Sequence, residues 1–143
     1  ICKKYNILMK EHNTDYLSNE ALSWHPRLGI HAANVAPEFG VVETKAIIKI
    51  MNLLNLKELK DKFLKLSLNS GKWKKWMIKG SGATDYERSM IAGHYIFSNT
   101  EFIDLKNELK NILKKKKKLD LDEYLKQEIK DSIHRYLYNF KMI

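Results

Sequence analysis

Over residues 1–35 the polarity pattern runs strand, loop, helix, strand, and this succession limits the fold more than any other feature of the chain. Tyr5-Asn6-Ile7-Leu8-Met9 is a short apolar run bounded by polar residues, the pattern of a strand buried on both faces. Ser18 is placed to cap a helix with Glu20 in its first turn, and Leu17, Ala21, Leu22 and Trp24 supply apolar positions until Pro26 ends or deflects it. Gly29 then releases the chain into a second strand over Ile30–Val35. Two strands joined through one helix form a βαβ unit, whose strands pair in parallel. A parallel pair alone leaves both of its edges open. We therefore expect it to pair with something outside this sequence.

Downstream, no further strand signal appears. After a loop at Ala36–Gly40, Val42, Ala46, Ile47, Ile50, Met51 and Leu54 recur at three- and four-residue spacing, one apolar stripe of a helix. Leu56, Leu59, Phe63 and Leu66 continue it after a break at Asn55, and Asn69-Ser70-Gly71 stops it. Trp73 and Trp76 fall on one side of a short helix, as core anchors between solvated lysines. Thr84-Asp85-Tyr86-Glu87 has capping-box spacing. The helix it opens carries His94 among apolar positions, which suits a hydrogen-bonded core histidine. Two more helices are expected, one with Phe102, Leu105, Leu109 and Leu113 running into Lys114–Lys118, the other capped by Asp120. The expected division is 1–69, carrying the βα units, and 70–143, a helical region.

Composition narrows the functional classes. At 143 residues, 44% hydrophobic and 30% charged, the chain reads as a soluble globular protein with one core of ordinary size. No apolar run approaches the roughly 20 residues of a bilayer span, and no signal peptide opens the chain, so a cytoplasmic protein with no membrane partner is expected. One cysteine, Cys2, excludes an internal disulfide framework and fits a reducing compartment. The chain opens at Ile1 and reaches its first expected strand almost at once, which suggests a fragment of a longer protein. The net charge of +9 raises nucleic acid as a partner. Only Arg27, Arg88 and Arg135 are arginines, however, and arginine is favoured where phosphates or bases are gripped. A lysine-only excess argues against that partner.

The groups suited to chemistry collect at the two expected strand ends. Glu11-His12-Asn13-Thr14-Asp15-Tyr16 supplies two carboxylates, an imidazole, an amide and a hydroxyl, and Asn34-Val35-Ala36-Pro37-Glu38 an amide and a carboxylate. In parallel barrels functional groups sit at such C-terminal strand ends.

At these residues the chain resembles the class II tagatose-bisphosphate aldolase family, specifically its Z-type, non-catalytic subunit. That family carries an (E/A)-H-S-T-D-Y loop about twenty residues before a V-G-P-A-L-T-F-A strand end. Here they read Glu11-His12-Asn13-Thr14-Asp15-Tyr16 and Val35-Ala36-Pro37-Glu38-Phe39-Gly40-Val41. The likeness is specific over residues 5–50 and loose beyond. More distantly, the two loops look like the last strand ends of class II fructose-bisphosphate aldolases, where an H-G-G-S-G loop supplies a metal-ligand histidine and a phosphate cradle. His12 matches that histidine, and Asn34 the leading asparagine of their N-I-D-T-D strand end. Asn13-Thr14-Asp15 replaces the glycines and serine, Ala36 stands in place of the aspartate, and Glu38 departs from the Z-type pattern.

The resemblance implies an α/β chain, the C-terminal portion of a (β/α)8 TIM barrel with two parallel strands followed by a mostly α-helical tail. It implies a part of a sugar-bisphosphate aldolase-like protein in carbohydrate metabolism, as a lyase or as an accessory subunit, inactive as this chain alone. A divalent metal, zinc, would be held by His12. Glu11, His12 and Asp15 would be the catalytic group, and Asn13, Thr14, Asn34 and Glu38 would contact a phosphorylated sugar. His31 is a further candidate on the inner face. A second protein subunit or another copy of the chain would complete the assembly. Two other readings stand beside this one. The first is a non-enzymatic subunit docking a partner through the aromatic-rich helices from Trp73 onward, and the second a lysine-rich nucleic-acid-binding domain.

Overall fold

The computed structural model describes residues 1–143. In chain order they form α1 (Cys2–Tyr5), β1 (Met9–Glu11), α2 (Asn19–Leu28), β2 (Ile30–Ala33), α3 (Pro37–Leu53), α4 (Lys57–Asn69), α5 (Asp85–Ala92), α6 (Thr100–Lys117) and α7 (Leu121–Asn139), with 3-10 turns at Lys72–Lys75 and Gly93–Ile96. The chain is thus mostly helical, with one two-stranded parallel sheet. Packing divides it into two compact units, one of residues 1–39 with 129–143 and one of residues 40–128. No helix is long and apolar enough to cross a membrane.

In the first unit β1 and β2 pair in parallel, Met9 with Ile30, Lys10 with Ala32 and Glu11 with Ala33, with one irregularity between Met9 and Lys10. Ser18 caps α2 by accepting from Ala21 N, and Gly29 ends it in the left-handed region at φ 73°.

Three local expectations need correction. The apolar run Tyr5–Met9 is not a buried strand. Its first residue closes α1, Asn6 turns the chain at φ 52°, and pairing starts only at Met9. Tyr5, Ile7, Leu8 and Met9 are all exposed, because the sheet's only ladder is to β2 and no second layer covers that run. A continuous apolar run does not distinguish a strand from a turn of helix followed by extended chain. Second, Pro26 does not stop α2, which continues to Leu28; the proline forgoes the one bond its N–H would give to Leu22 O, and the helix carries on for two more residues. Third, Pro37 and Glu38 belong to α3 rather than to a loop, with proline at the first helical position, where its missing N–H costs nothing.

The second unit is built around Ile47, Met51, Phe63, Phe102, Leu105, Leu109, Leu113 and Leu121, all at most 2% exposed. The break at Asn55 is present, with φ 55° between α3 and α4. The capping box of α5 forms as its spacing predicts: Thr84 Oγ1 accepts from Glu87 N, and the Glu87 carboxylate accepts from Thr84 N. Asp120 caps α7 through the amides of Asp122 and Glu123. Gly93 allows a close approach, since a Cβ there would lie 2.4 Å from the methyl of buried Thr44. Trp73 is half-buried, but Trp76 is 49% exposed, so only one of the two tryptophans serves as an anchor.

His94 packs its ring against Gly40, where a Cβ would fall 2.6 Å away, and against Tyr95 at 4.0 Å between centroids. Its Nδ1 is buried without a hydrogen-bond partner. Desolvation therefore holds its pKa below the ordinary 6.5. The unfolded chain takes up this proton more readily than the folded one. The contribution to stability is thus fully present above the unfolded value and lost as pH falls toward the lowered folded value. We expect the urea midpoint to fall on acidification from about pH 7 to 5.5, and His94→Gln to flatten that limb. An equally steep limb in the variant would show that His94 does not cause it.

Candidate functional site at the strand ends

The parallel ladder brings the two polar strand ends together. Asn34 N donates to Glu11 O at 3.1 Å and Thr14 N to Asn34 O at 3.0 Å, so the pairing continues past both strands. The residues that follow then take separate roles, set by which groups need partners.

Asp15 turns toward α3. Its Oδ1 accepts from Ala36 N at 3.1 Å and Glu38 N at 2.9 Å. Ala36 precedes the helix and carries no side-chain acceptor, so a carboxylate from the neighbouring strand end satisfies the free amides and meets the positive end of the helix dipole. Those amides are the ones an anionic ligand would use, and here they are taken.

Glu38 is buried at 8% exposure and is the acceptor of a larger knot. Its Oε2 accepts from Tyr16 N at 2.5 Å and from the Tyr136 hydroxyl, and its Oε1 from Arg135 Nη2 at 2.8 Å. Arg135 Nη1 also donates to Leu17 O and to Asn19 Oδ1, each at 3.0 Å. The Tyr136 hydroxyl lies 3.1 Å from Thr14 O. Burial, followed by the bond to Glu38, raises the Tyr136 pKa above the ordinary phenol value, so it remains a donor. In this way the last helix holds both strand-end loops.

Glu11, the last residue of β1, directs its carboxylate to Nε2 of buried His25, whose Nδ1 lies 3.2 Å from Ala21 O. His25 further packs on Phe140 at 5.1 Å.

The remaining candidates differ in access. The Thr14 side chain is fully buried, and its hydroxyl finds no partner. Asn34 is half-buried. His31 is exposed, its Nδ1 3.4 Å from Met9 N. His12 and Asn13 are exposed, with His12 Nδ1 3.0 Å from Asn13 Oδ1 and Asn13 at φ 64°. This pair is what the two strand ends offer to a ligand.

A catalytic zinc ion needs about three protein ligands and an open position. His12 is presented, but Glu11 is engaged with His25 and Asp15 with α3, and no three His, Cys, Asp or Glu side chains converge on one point. These residues do not by themselves fit the metal. Three residues that hold the site, His25, Arg135 and Tyr136, were not among the expected ones. Arg135 did carry a signal, since arginine is rare in this lysine-rich chain and bidentate pairing favours it. Searches with family models, against curated proteins and against solved structures found no match to this chain.

Proposed function

We propose that this chain forms the last two strand–helix units of a (β/α)8 barrel of the Z-type tagatose-bisphosphate aldolase kind, and serves as an accessory wall of a sugar-phosphate site rather than as the catalyst. The observation that carries the reading is the pair of parallel strands with both polar ends joined: Asp15 bridges to the amides of α3 and Glu38 back to Tyr16. The carboxylates that an aldolase would devote to metal and proton transfer are engaged in holding the wall. That division supports the accessory role over the catalytic one. His12 and Asn13 are left to hydrogen-bond sugar hydroxyls or a phosphate oxygen.

The test uses the full-length protein. Purified alone and supplied with zinc, it is expected to bind tagatose 1,6-bisphosphate without cleaving it, and to raise turnover when a class II catalytic subunit is added. Because His12 is exposed, His12→Ala should leave stability within about 0.5 kcal/mol of the parent, while weakening sugar-bisphosphate binding by roughly tenfold. Cleavage by the protein alone would defeat the accessory reading. Unchanged binding by the His12 variant would remove the ligand contact.

A further inference from the structure

Within the second unit, Trp73, Lys74, residues 77–82 and Arg88 line an open cavity of about 460 Å³, within the size range of small-ligand sites. Three cations face it, Lys74, Lys79 and Arg88, and no carboxylate is among its lining residues. Arg88 is held in place by its guanidinium, which stacks 4.7 Å from the Trp73 ring, and by Nη1, which donates to Asp85 at 2.9 Å. The rest of its donor fork remains available. Gly80 and Gly82 sit at φ 83° and 66°; the Ser81 amide between them donates to Ile78 O at 3.1 Å, and the amides of the two glycines are not used in that turn. Met77 and Ile78 supply an apolar wall, and Ile78 stands 83% exposed beside Lys79.

Cations, two glycine amides and an apolar wall together define one ligand chemistry. We propose that this cavity binds a phosphate monoester, with Arg88, Lys79 and the amides of Gly80 and Gly82 on the phosphate and Met77 and Ile78 against the organic part. Arginine supplies paired donors to phosphate oxygens and lysine a point charge. A stacked nucleic-acid strand fits less well, because base stacking needs an open aromatic face. The Trp73 ring is covered by Arg88, and its Nε1 donates to Leu68 O at 3.1 Å. A soluble metabolite and a lipid headgroup present the same ester to these groups. The inference does not depend on the strand-end reading, since it uses none of the same residues.

Tryptophan fluorescence can test it in a Trp24→Phe background, where Trp73 and Trp76 are the reporters. The probes are glucose 6-phosphate against glucose, and phosphatidylcholine vesicles with and without phosphatidic acid. A saturable change is expected with the phosphate-bearing member of at least one pair, and which pair responds identifies the source. Lys79→Ala should weaken it about tenfold, and Arg88→Gln at least as much, whereas Lys115→Ala on the exposed lysine run should not. No saturable change with either probe would overturn the site. Equal weakening by Lys115→Ala would reduce it to general charge attraction, and tighter binding of a single-stranded oligonucleotide at the same residues would assign it to nucleic acid instead.

Discussion

Replacing Glu38 by alanine should destabilise the protein by about 3 kcal/mol, the lower end of the range for removing one member of a buried charged pair. The lower end applies because the Arg135 side chain keeps 30% of its surface and can recover part of its hydration. Two other donors lose their carboxylate acceptor as well. Tyr16 N and the Tyr136 hydroxyl both donate to Glu38 Oε2, and the hydroxyl, on a residue only 4% exposed, would be left with Thr14 O at 3.1 Å. A hydrogen bond to a charged acceptor is stronger than one to a neutral carbonyl. Glu38→Gln separates charge from hydrogen bonding, since the amide keeps one acceptor oxygen but loses the charge that pairs with Arg135. Urea unfolding followed by circular dichroism should therefore find the parent most stable, Glu38→Gln intermediate and Glu38→Ala least stable. An alanine variant as stable as the parent would show that the knot contributes nothing to folding. The raised Tyr136 pKa adds an alkaline signature. The stability tied to its proton is present below the unfolded value near 10 and is lost as pH rises toward the folded one. Tyr136→Phe should remove that decline.

Phe63→Ala should cost about 3–5 kcal/mol, the larger of the two effects. Phe63 is completely buried in the second unit and meets Phe102 at 5.7 Å between centroids, with Leu59, Leu105 and Leu109 in the same cluster. Removing the ring takes away its transfer free energy and leaves a cavity that helices held by Gly93 against Thr44 cannot readily close. Phe63→Leu retains most of the volume and should lose much less. Denaturant titration of the three proteins checks the order. If alanine and leucine were equivalent, the site would be able to collapse, and the packing argument would fail. Because the chain forms two compact units, secondary-structure and tryptophan signals should be compared for coincidence before a single free energy is assigned.

How far these features could be read in advance depended on the distance over which their causes act. Ser18, Thr84 and Asp120 cap helices through amides two or three residues away, so their spacing alone predicts the contact. The breaks at Asn55 and Gly71 are equally local, as is the apolar stripe from Val42 to Leu54. Strand limits were less legible. Ile7 and Leu8 resemble core residues, yet whether they pair depends on a neighbouring strand, and the ladder starts only at Met9. The strand-end cluster was visible as a concentration of polar groups, but not as a division of labour among them. His12 and Asp15 are three residues apart and equally polar, and one lies open while the other caps a helix 21 residues on.

The sequence by itself determined the parallel βαβ start, the run of helices after it, most of their caps and the residues of the second unit's core, because hydrophobic period and capping chemistry operate within a few residues. Tertiary structure alone decided that Glu11 would meet His25, that Asp15 would serve α3, and that Arg135 and Tyr136 would come back across nearly a hundred residues to hold Glu38. A buried carboxylate must find donors wherever the fold brings them, and spacing along the chain carries no record of that choice.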